Sequence, residues 1–377
     1  MANEFFPELK GRFAFGCMRL PMNGKDVDID HFCKMVDYYL DAGFNYFDTA
    51  HGYLEGKSET AIAEALVKRH PRDKFLIANK LTDVYFEKQE DIIPFFEKQL
   101  AWCGVDFFDF YLMHDQEKRN YDKFQKCKAF ETALELKKQG KIKHLGFSFH
   151  DKVDHLERIL NDHPEVEFVQ IQFNYLDYDS EDVQSGKLYE VCEKYNKPVF
   201  VMEPVKGGKL AMLPDNVKSI FDKLGSDASY ASYAVRYALN FPNNVLVLSG
   251  VSDIDQMKDN CASMKDPKPL KDSEEQAIAQ AVAEFKNLKL VDCTGCSYCV
   301  THNECPKNIN IPQVFSIYND MKIFDGWKKE GRAFYQRVVA TYSGVASDCI
   351  ACGACKDVCP QHLDIPKLLE DASKELE

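Results

Sequence analysis

The stretch FFDFYLMHDQEKRNYDKFQKCKAFETALELKKQGKIKHLGF, residues 107–147, changes its hydrophobic pattern twice. Phe107–Leu112 is a short run of aromatic and aliphatic residues, which is typical of a buried strand, and His144–Phe147 is a second such run. Between them, apolar residues recur at helical spacing through Asp122–Gln139. A strand, a helix and a second strand in this order predict two parallel strands joined by a helix.

The same alternation continues on both sides of this stretch. The further strand-like runs are Arg12–Phe15, Asn45–Phe47, Phe75–Ala78, Phe168–Gln172, Pro198–Met202 and Val245–Leu248. The helical patterns between them are Ile29–Asp41, Ser58–Lys68, Asp91–Trp102, Lys152–Asn161, Leu188–Tyr195 and Ala228–Leu239. Eight strand–helix units favour an α/β fold closed as a (β/α)₈ TIM barrel. An open, doubly wound sheet is the alternative, and the lack of a G-x-G-x-x-G after any strand counts against it.

The composition changes near residue 289. Lys271–Leu288 predicts one more helix, and a cysteine-rich stretch follows it directly. We therefore expect two domains, a barrel over residues 1–288 and a smaller domain over 289–377. The region Pro312–Ala340 has a helical pattern, so the second domain should be mainly α. That pattern carries the aromatic residues Phe315, Tyr318, Phe324 and Trp327.

The fourteen cysteines are unevenly distributed. The chain is long, and residues 1–20 do not have the layout of a signal peptide, so we expect a reduced, cytoplasmic protein rather than a disulfide framework. Six cysteines are scattered and are expected to be small buried residues: Cys17, Cys33, Cys103, Cys127, Cys192 and Cys261. The other eight lie between Cys293 and Cys359.

These eight cysteines form two runs. The second, Cys349-x₂-Cys352-x₂-Cys355-x₃-Cys359-Pro, has the spacing of bacterial ferredoxins with two [4Fe–4S] clusters, where the last cysteine ligates the other cluster. The first run has the same C-x₂-C-x₂-C start, but five residues precede its last cysteine. We predict cross-ligation. One cluster would be held by Cys293, Cys296, Cys299 and Cys359, and the other by Cys349, Cys352, Cys355 and Cys305.

The alternative for this tail is a pair of Cys₄ zinc sites, although zinc knuckles usually have paired C-x-x-C units. His302 lies inside the longer gap and could replace one ligand. Iron–sulfur clusters carry single electrons, so they would imply a one-electron donor or acceptor, such as a carrier protein. They also indicate a reducing and anaerobic cell interior.

Polar residues follow three successive strands of the predicted barrel. Asp48, Lys80 and His114 lie at or just after strand ends, and Tyr53 lies in the loop after Asp48. The carboxyl ends of the strands form the rim on which TIM-barrel enzymes carry out their chemistry. A phenol is too weak an acid near neutral pH unless a cation lies beside it, and Lys80 could supply that cation. Asp48 would orient Lys80, and His114 would donate to a substrate oxygen.

Residues 10–265 resemble the aldo/keto reductase family on these motifs. The matching segments are Phe15-Gly16-Cys17-Met18-Arg19-Leu20-Pro21, Phe47-Asp48-Thr49-Ala50-x-x-Tyr53, Ser58-Glu59, Lys80 and Leu112-Met113-His114. The cysteine-rich tail is similar to the subset of the family with a ferredoxin-like C-terminal domain holding two [4Fe–4S] clusters. The resemblance implies a catalytic tetrad of Asp48, Tyr53, Lys80 and His114.

The resemblance also implies a dinucleotide lying across the rim. The residues at the corresponding positions are Gly16, Met18, Arg19, Ser148, Gln170, Met202, Glu203, Pro204, Lys206, Gly208, Gly250, Ser252, Gln256 and Asn260. Met202 stands where an aromatic ring often stacks on the nicotinamide, and His150 or Phe149 where Asn is common. Gln256 replaces a phosphate-binding Arg, so NAD and NADP both remain open. A flavin could occupy the same mouth.

Together these features predict an oxidoreductase that transfers hydride reversibly between NAD(P)H and a carbonyl or alcohol substrate, with two clusters relaying electrons. The alternative is an electron-transfer or cofactor-sensing module whose barrel binds a nicotinamide or flavin. The net charge of −13 makes nucleic acid an unsuitable partner, and no apolar run is long enough to span a membrane. No sequence feature indicates an oligomeric state.

Overall fold

The computed structural model describes residues 4–181, 183–301, 305–323, 328–341 and 343–377. By the density of its contacts the chain divides into two compact units. The first unit is 1–204 with 234–269, and the second is 205–233 with 270–377. The predicted boundary at residue 288 stays a prediction. The segment 205–233 and the helix before the cysteines both group with the cysteine-rich residues.

The first unit contains a closed barrel of eight parallel strands, as the sequence predicts. We number the strands β1–β8 in chain order. They are Phe13–Gly16, Tyr46–Asp48, Leu76–Leu81, Phe108–Gln116, Ile142–Phe149, Phe168–Gln172, Val199–Met202 and Asn244–Gly250. Each pairs with the next in sequence, and β8 closes on β1. A two-stranded hairpin, Met22–Asn23 with Asp26–Val27, lies in the loop after β1.

The helices α1–α10 follow the strands in the chain. They are Ile29–Asp41, Lys57–Ile62, Gln89–Cys103, Lys118–Lys126, Ala129–Lys138, Val153–Asp162, Ser185–Lys194, Asp215–Asp222, Tyr230–Leu239 and Ile254–Lys265. The expectation of a single helix over Asp122–Gln139 is wrong. Two helices meet at Lys128, whose φ of 51° lies in the left-handed region and interrupts the helical backbone.

One end of the barrel is filled by aromatic rings. Phe6, from the segment before β1, packs edge-on against Phe110, Phe168 and Phe200, with ring centroids 5.3–5.9 Å apart. These rings belong to a buried apolar cluster that also contains Tyr46 and residues from the starts of several strands. The amino ends of the strands are therefore closed by a dry core.

The second unit is mainly helical. Its helices after residue 270 are Asp272–Leu288, Tyr298–Thr301, Ile311–Ile323, Lys328–Val338, Ala354–Asp357 and Ile365–Leu376, numbered α11–α16. Val314, Phe315, Tyr335 and Leu369 are among the residues of its apolar core. The predicted helical region Pro312–Ala340 corresponds to α13 and α14, while Phe324 and Trp327 lie outside the described residues. In the part of the chain that the structure describes, no helix combines the length and apolarity needed to cross a bilayer.

Candidate active site and candidate cluster sites

Three neighbouring strands bring the predicted tetrad to one edge of the barrel. Asp48 is the last residue of β2, which pairs with β3 so that Asp48 lies opposite Ala78. Lys80, near the end of β3, lies opposite Leu112 of β4, and His114 follows two residues later. All of these positions lie at the carboxyl ends of the strands.

The Lys80 ammonium is the centre of this group. Its Nζ lies 2.7 Å from Asp48 Oδ2, 2.8 Å from the Thr49 carbonyl oxygen and 3.1 Å from the Tyr53 hydroxyl. An ammonium has three N–H donors, so these three oxygens use all of them. Lys80 is completely buried. A buried ammonium is stable only when it is paired in this way, and the lysine is therefore fixed in position as well as charged.

Burial decides the acidity of the phenol. It raises the pKa of Tyr53 to about 12, and the Lys80 ammonium lowers that pKa only in part. The sequence analysis took account of the Lys80 cation, which lowers the pKa of Tyr53, but not of the burial, which raises it. For Lys80 itself, burial disfavours the ammonium, but Asp48 and Tyr53 outweigh it and raise the lysine pKa above its usual value. At neutral pH both side chains therefore carry their protons.

His114 completes the group through a residue that the sequence analysis did not single out. The rings of Tyr53 and His114 meet edge to face, with centroids 6.0 Å apart. His114 Nδ1 lies 2.7 Å from the Thr82 hydroxyl oxygen. With that hydroxyl as donor, Nδ1 accepts, so the neutral ring carries its proton on Nε2. The spacing of the sequence could have indicated Thr82. It lies two residues after Lys80, and side chains two residues apart along a strand point to the same face of the sheet.

A second charged cluster lies immediately after His114 and was also missed. Arg119 forms ion pairs with Asp115 and, at 2.8 Å, with Glu117, and its Nη1 lies 4.0 Å from Asp83 Oδ2. His150 Nε2 is 3.8 Å from Asp115 Oδ1. Three carboxyl groups thus surround one guanidinium. Burial is the largest cause that raises the pKa of Asp115 to about 7 and that of Glu117 to about 9.

The predicted dinucleotide residues at the ends of β1 and β8 lie side by side. Gly16 pairs with Gly250 in the sheet, and a Cβ on Gly250 would lie 3.7 Å from the Arg19 side chain. The Ser252 hydroxyl donates to the Arg19 carbonyl oxygen at 2.9 Å. The Arg19 guanidinium is 3.5 Å from Glu203. Five of the predicted residues therefore form one connected patch.

Two other predicted dinucleotide residues are hydrogen-bonded to this patch or to the barrel wall. Gln256 accepts a hydrogen bond from the Ser252 amide at 3.0 Å. The Asn260 amide donates to the Ser249 hydroxyl at 2.8 Å, so that side chain is turned towards β8. Met18 is partly exposed and Pro204 is buried. Lys206 and Gly208 belong to the second unit.

The two positions assigned to the nicotinamide carboxamide lie on adjacent strands. Ser148 of β5 pairs with Gln170 of β6 in the sheet register. The Ser148 hydroxyl accepts from the Asp115 amide at 2.8 Å, and Gln170 Nε2 lies 3.7 Å from the Met202 sulfur. Gln170 Oε1 is buried, and no described residue hydrogen-bonds to it. A buried amide oxygen in this state suits a ligand that brings an N–H donor.

In the second unit the eight clustered cysteines line two cavities. The first cavity is lined by Cys293, Cys296, Cys299 and Cys359 together with apolar and polar residues. The second is lined by Cys305, Cys349, Cys352 and Cys355, and Cys299 also reaches it. Each cavity thus has the four thiols of one predicted ligand set. His302 lies outside the described residues.

The described thiols do not converge on a single point. Zinc ligands must approach one ion to within about 2.3 Å. Among the described residues no three His, Cys, Asp or Glu side chains converge closely enough to hold a single ion. Burial raises the pKa of Cys355 to about 11, and its neighbours Cys349 and Cys352 add to the shift. Without a metal, Cys355 would therefore keep its proton at neutral pH, and ligation as a thiolate would require a positive metal centre.

Two family models match the chain. The aldo/keto reductase family model matches residues 12–283, which is well over half of the sequence. The chain belongs to the aldo/keto reductase family. A model of a 4Fe–4S dicluster domain matches residues 292–363. The C-terminal resemblance stated from the cysteine spacing is therefore confirmed.

Relatives agree with the family assignment. The NADH-specific methylglyoxal reductase of Escherichia coli is 24% identical over 276 residues, covering 61% of this chain and 82% of that protein. An uncharacterized oxidoreductase of Bacillus subtilis is 23% identical, covering 65% and 84%.

Solved structures show the same fold. An aldo-keto reductase from Klebsiella pneumoniae in complex with NADPH superposes with a TM-score of 0.59 at 17% identity, over 71% of this chain and 90% of that one. An aldo-keto reductase from Bacillus halodurans in its holo form gives 0.58 at 24% identity, over 72% and 92%.

Proposed function

We propose that this aldo/keto reductase transfers hydride reversibly between NAD(P)H and a carbonyl or alcohol substrate, and that two [4Fe–4S] clusters relay electrons to or from a one-electron partner. The observation that carries the first part is the Lys80 ammonium, which contacts the Asp48 carboxylate and the Tyr53 hydroxyl together. The name of the methylglyoxal reductase relative and the NADPH in the Klebsiella structure support the same chemistry.

The side chains of the tetrad have separable roles in reduction. When bound, the nicotinamide supplies the hydride that the carbonyl carbon accepts. Tyr53 gives its O–H proton to the carbonyl oxygen, and Lys80 stabilises the phenolate that remains. His114, oriented by Thr82, hydrogen-bonds to the same oxygen. In alcohol oxidation Tyr53 takes the proton back.

The carboxamide end of the dinucleotide has a matching pair of groups. Gln170 Oε1 can accept from an amide N–H, and the Ser148 hydroxyl lies on the adjacent strand. The neutral Gln256 at the predicted adenosine end offers no charge for a 2′-phosphate, whereas a guanidinium would bind it bidentately. This difference favours NADH over NADPH as the working cofactor.

Replacement of Tyr53 tests the catalytic assignment. The anaerobic wild-type protein should oxidise NADH or NADPH in the presence of methylglyoxal or another small carbonyl compound. Tyr53→Phe keeps the ring but removes the hydroxyl group and its acidic proton, and it should lower the rate by about 10²–10⁴-fold. Tyr85→Phe is the matched control, since Tyr85 stacks on Phe95 and should leave the rate unchanged. Wild-type turnover by Tyr53→Phe would refute the role of the phenol.

The two thiol-lined cavities support the cluster assignment, and the dicluster family model agrees with it. Clusters held there would exchange one electron each with a partner. Metal and sulfide analysis tests this. Two four-iron clusters predict about eight iron atoms and acid-labile sulfide per chain, together with visible absorbance that dithionite bleaches. A colourless protein with zinc in place of iron would overturn the relay.

One observation favours the electron-transfer module as a second candidate. Cys352 is the exposed member of its ligand set, and the neighbouring Ile350 is 57% exposed on the lining of the same cavity. An apolar edge beside a cluster would suit contact with an electron-carrier protein. Fluorescence titration separates the two candidates. A protein that binds dinucleotide yet reduces no carbonyl would favour the module.

A further inference from the structure

The second unit contains Lys206 and Gly208, which the sequence analysis assigned to the barrel rim. The segment Val205–Met212 follows β7 directly in the chain, yet it groups with the cysteine-rich residues. Gly207 has a φ of 64°, and a Cβ there would lie 2.6 Å from the Thr294 carbonyl oxygen. Only glycine allows two backbones to approach this closely. The segment is therefore packed tightly against the residue that follows Cys293.

Lys209 fixes the same contact through its side chain. Its Nζ donates to the Val291 carbonyl oxygen at 2.5 Å and lies 3.6 Å from Asp292 Oδ1. Val291 is itself held by Asn319 of α13, which contacts both its amide and its carbonyl group at 2.8 Å. An ammonium is thus anchored at a defined place beside the first cysteine of the first cavity.

The charges around this cysteine are unequally screened. The Lys209 side chain is 14% exposed, whereas that of its partner Asp292 is 60% exposed. Water weakens the field of the carboxylate more than that of the ammonium. Lys206, a second buried lysine, interacts electrostatically with Lys209, and Lys209 interacts with Cys293. The positive charge of Lys209 therefore acts on Cys293 with less screening than the negative charge of Asp292 does.

A cluster held by four thiolates is anionic, and it gains one more negative charge when it takes up an electron. A fixed neighbouring cation stabilises the reduced form more than the oxidised form, and net charge is one of the factors that set cluster potentials. We propose that Lys209 raises the reduction potential of the first cluster, the one assigned to Cys293, Cys296, Cys299 and Cys359. This inference rests on the cluster ligation in the proposed function.

The second cavity provides a matched comparison within the same unit. Lys307 lines it, but this lysine is exposed. Solvent screens an exposed ammonium, so Lys307 should affect the second cluster less than Lys209 affects the first. Comparing Lys209 with Lys307 therefore tests whether the effect on the cluster depends on burial of the charge and not only on a lysine being nearby.

The experiment is an anaerobic redox titration of the full-length, iron-loaded protein, with dithionite as the electron source and EPR as the readout. Lys209→Met should lower one of the two midpoints. At a fixed potential near that midpoint, the ratio of reduced to oxidised cluster should fall about three- to tenfold, where tenfold corresponds to about 59 mV for one electron. Lys209→Arg keeps a positive charge at this position and should change the ratio by less than Lys209→Met does.

Two further variants keep the proposal falsifiable. Asp292→Asn removes the opposing carboxylate, so it should raise the same midpoint. Lys307→Met should shift its midpoint by less than Lys209→Met does. An unchanged midpoint in Lys209→Met, an equal shift of both transitions, or an equal effect of Lys307→Met would overturn the inference. A wild-type protein without iron would instead refute the cluster assignment, so the two failures are distinguishable.

Discussion

The two ends of the barrel are built from opposite chemistry. At the amino ends of the strands, the Phe6 ring packs against Phe110, Phe168 and Phe200. At the carboxyl ends, Asp48 and Lys80 are equally buried but are charged and hydrogen-bonded. The first end needs only matching volume, because dispersion and apolar burial do not depend on direction. The second end needs every charge to meet a partner.

The polar end is itself divided into a balanced group and an unbalanced one. Asp48 and Lys80 neutralise each other, with the Tyr53 hydroxyl as a third partner. Asp83, Asp115 and Glu117 instead share the one guanidinium of Arg119. The raised pKa values of Asp115 and Glu117 follow from burial together with this shortage of positive charge. The unbalanced group should therefore hold protons near neutral pH.

Lys80→Met should have the largest effect, because it damages both stability and chemistry. It leaves the Asp48 carboxylate buried without its counter-ion, which costs about 3–5 kcal/mol of unfolding free energy. It should also lower the carbonyl reduction rate about 10²-fold or more, because Tyr53 loses its cation. Denaturant unfolding and steady-state kinetics measure the two effects.

The matched variant is the double substitution Lys80→Met with Asp48→Asn. Neutralising the abandoned carboxylate should recover part of the lost stability while activity stays low. If Lys80→Met alone were as stable as the wild type, the ion pair would not stabilise the folded barrel. The contrast between the two ends would then fail.

Phe6→Ala, at the amino ends of the strands, should lower the stability of the protein without lowering its activity. Removing a buried ring from the apolar cluster should cost about 3–5 kcal/mol of unfolding free energy, since the other rings cannot close the cavity. The activity of the remaining folded protein should match that of the wild type. Phe5→Ala is a suitable control, because Phe5 is 43% exposed and its loss should cost little. Lost activity in folded Phe6→Ala would mean that the two ends are not independent.

The sequence predicted the parts of the barrel that depend on periodic patterns. All eight strands were located, since short apolar runs between helical patterns are a strong signal for a parallel sheet. The motif spacing also brought Asp48, Lys80 and His114 to one edge. The break at Lys128 was missed because the apolar periodicity continues through it, and the left-handed φ of a lysine leaves no mark in the pattern.

The features that depend on how deeply a side chain is buried could not be predicted from the sequence pattern. Sequence spacing placed Tyr53 beside Lys80, but it gave no measure of the burial that raises the pKa of Tyr53 to about 12. The grouping of Asp83, Asp115 and Glu117 around Arg119 joins the segment after β3 to the end of β4 and the start of α4. A charge run such as Asp115–Arg119 usually indicates a solvated surface, so buried carboxyl groups could not be expected from the sequence.

Asp115→Asn tests the unbalanced group, and its effect should appear in the pH dependence of stability. The pKa of Asp115 is raised from its ordinary value of 3.8 to about 7, so between these values the folded chain binds a proton that the unfolded chain has lost. The contribution of Asp115 therefore makes stability fall as pH rises from about 4 to about 7, with a slope of at most about 1.4 kcal/mol per pH unit. Asn cannot titrate, so the stability of the variant relative to the wild type should rise over this range.

The control for Asp115→Asn is Asp154→Asn, since Asp154 is largely exposed and pairs with Lys118 at 2.9 Å. Its pKa is lowered by that hydrogen bond, so the proton it binds is lost below the tested range. Denaturant unfolding at pH values of about 5, 6, 7 and 8 gives the comparison directly. Parallel stability curves for wild type and Asp115→Asn would show that Arg119 keeps Asp115 ionised. Both charged groups at the carboxyl ends of the strands would then be neutralised. A shortage of positive charge would no longer distinguish the group around Arg119 from the Asp48–Lys80 pair.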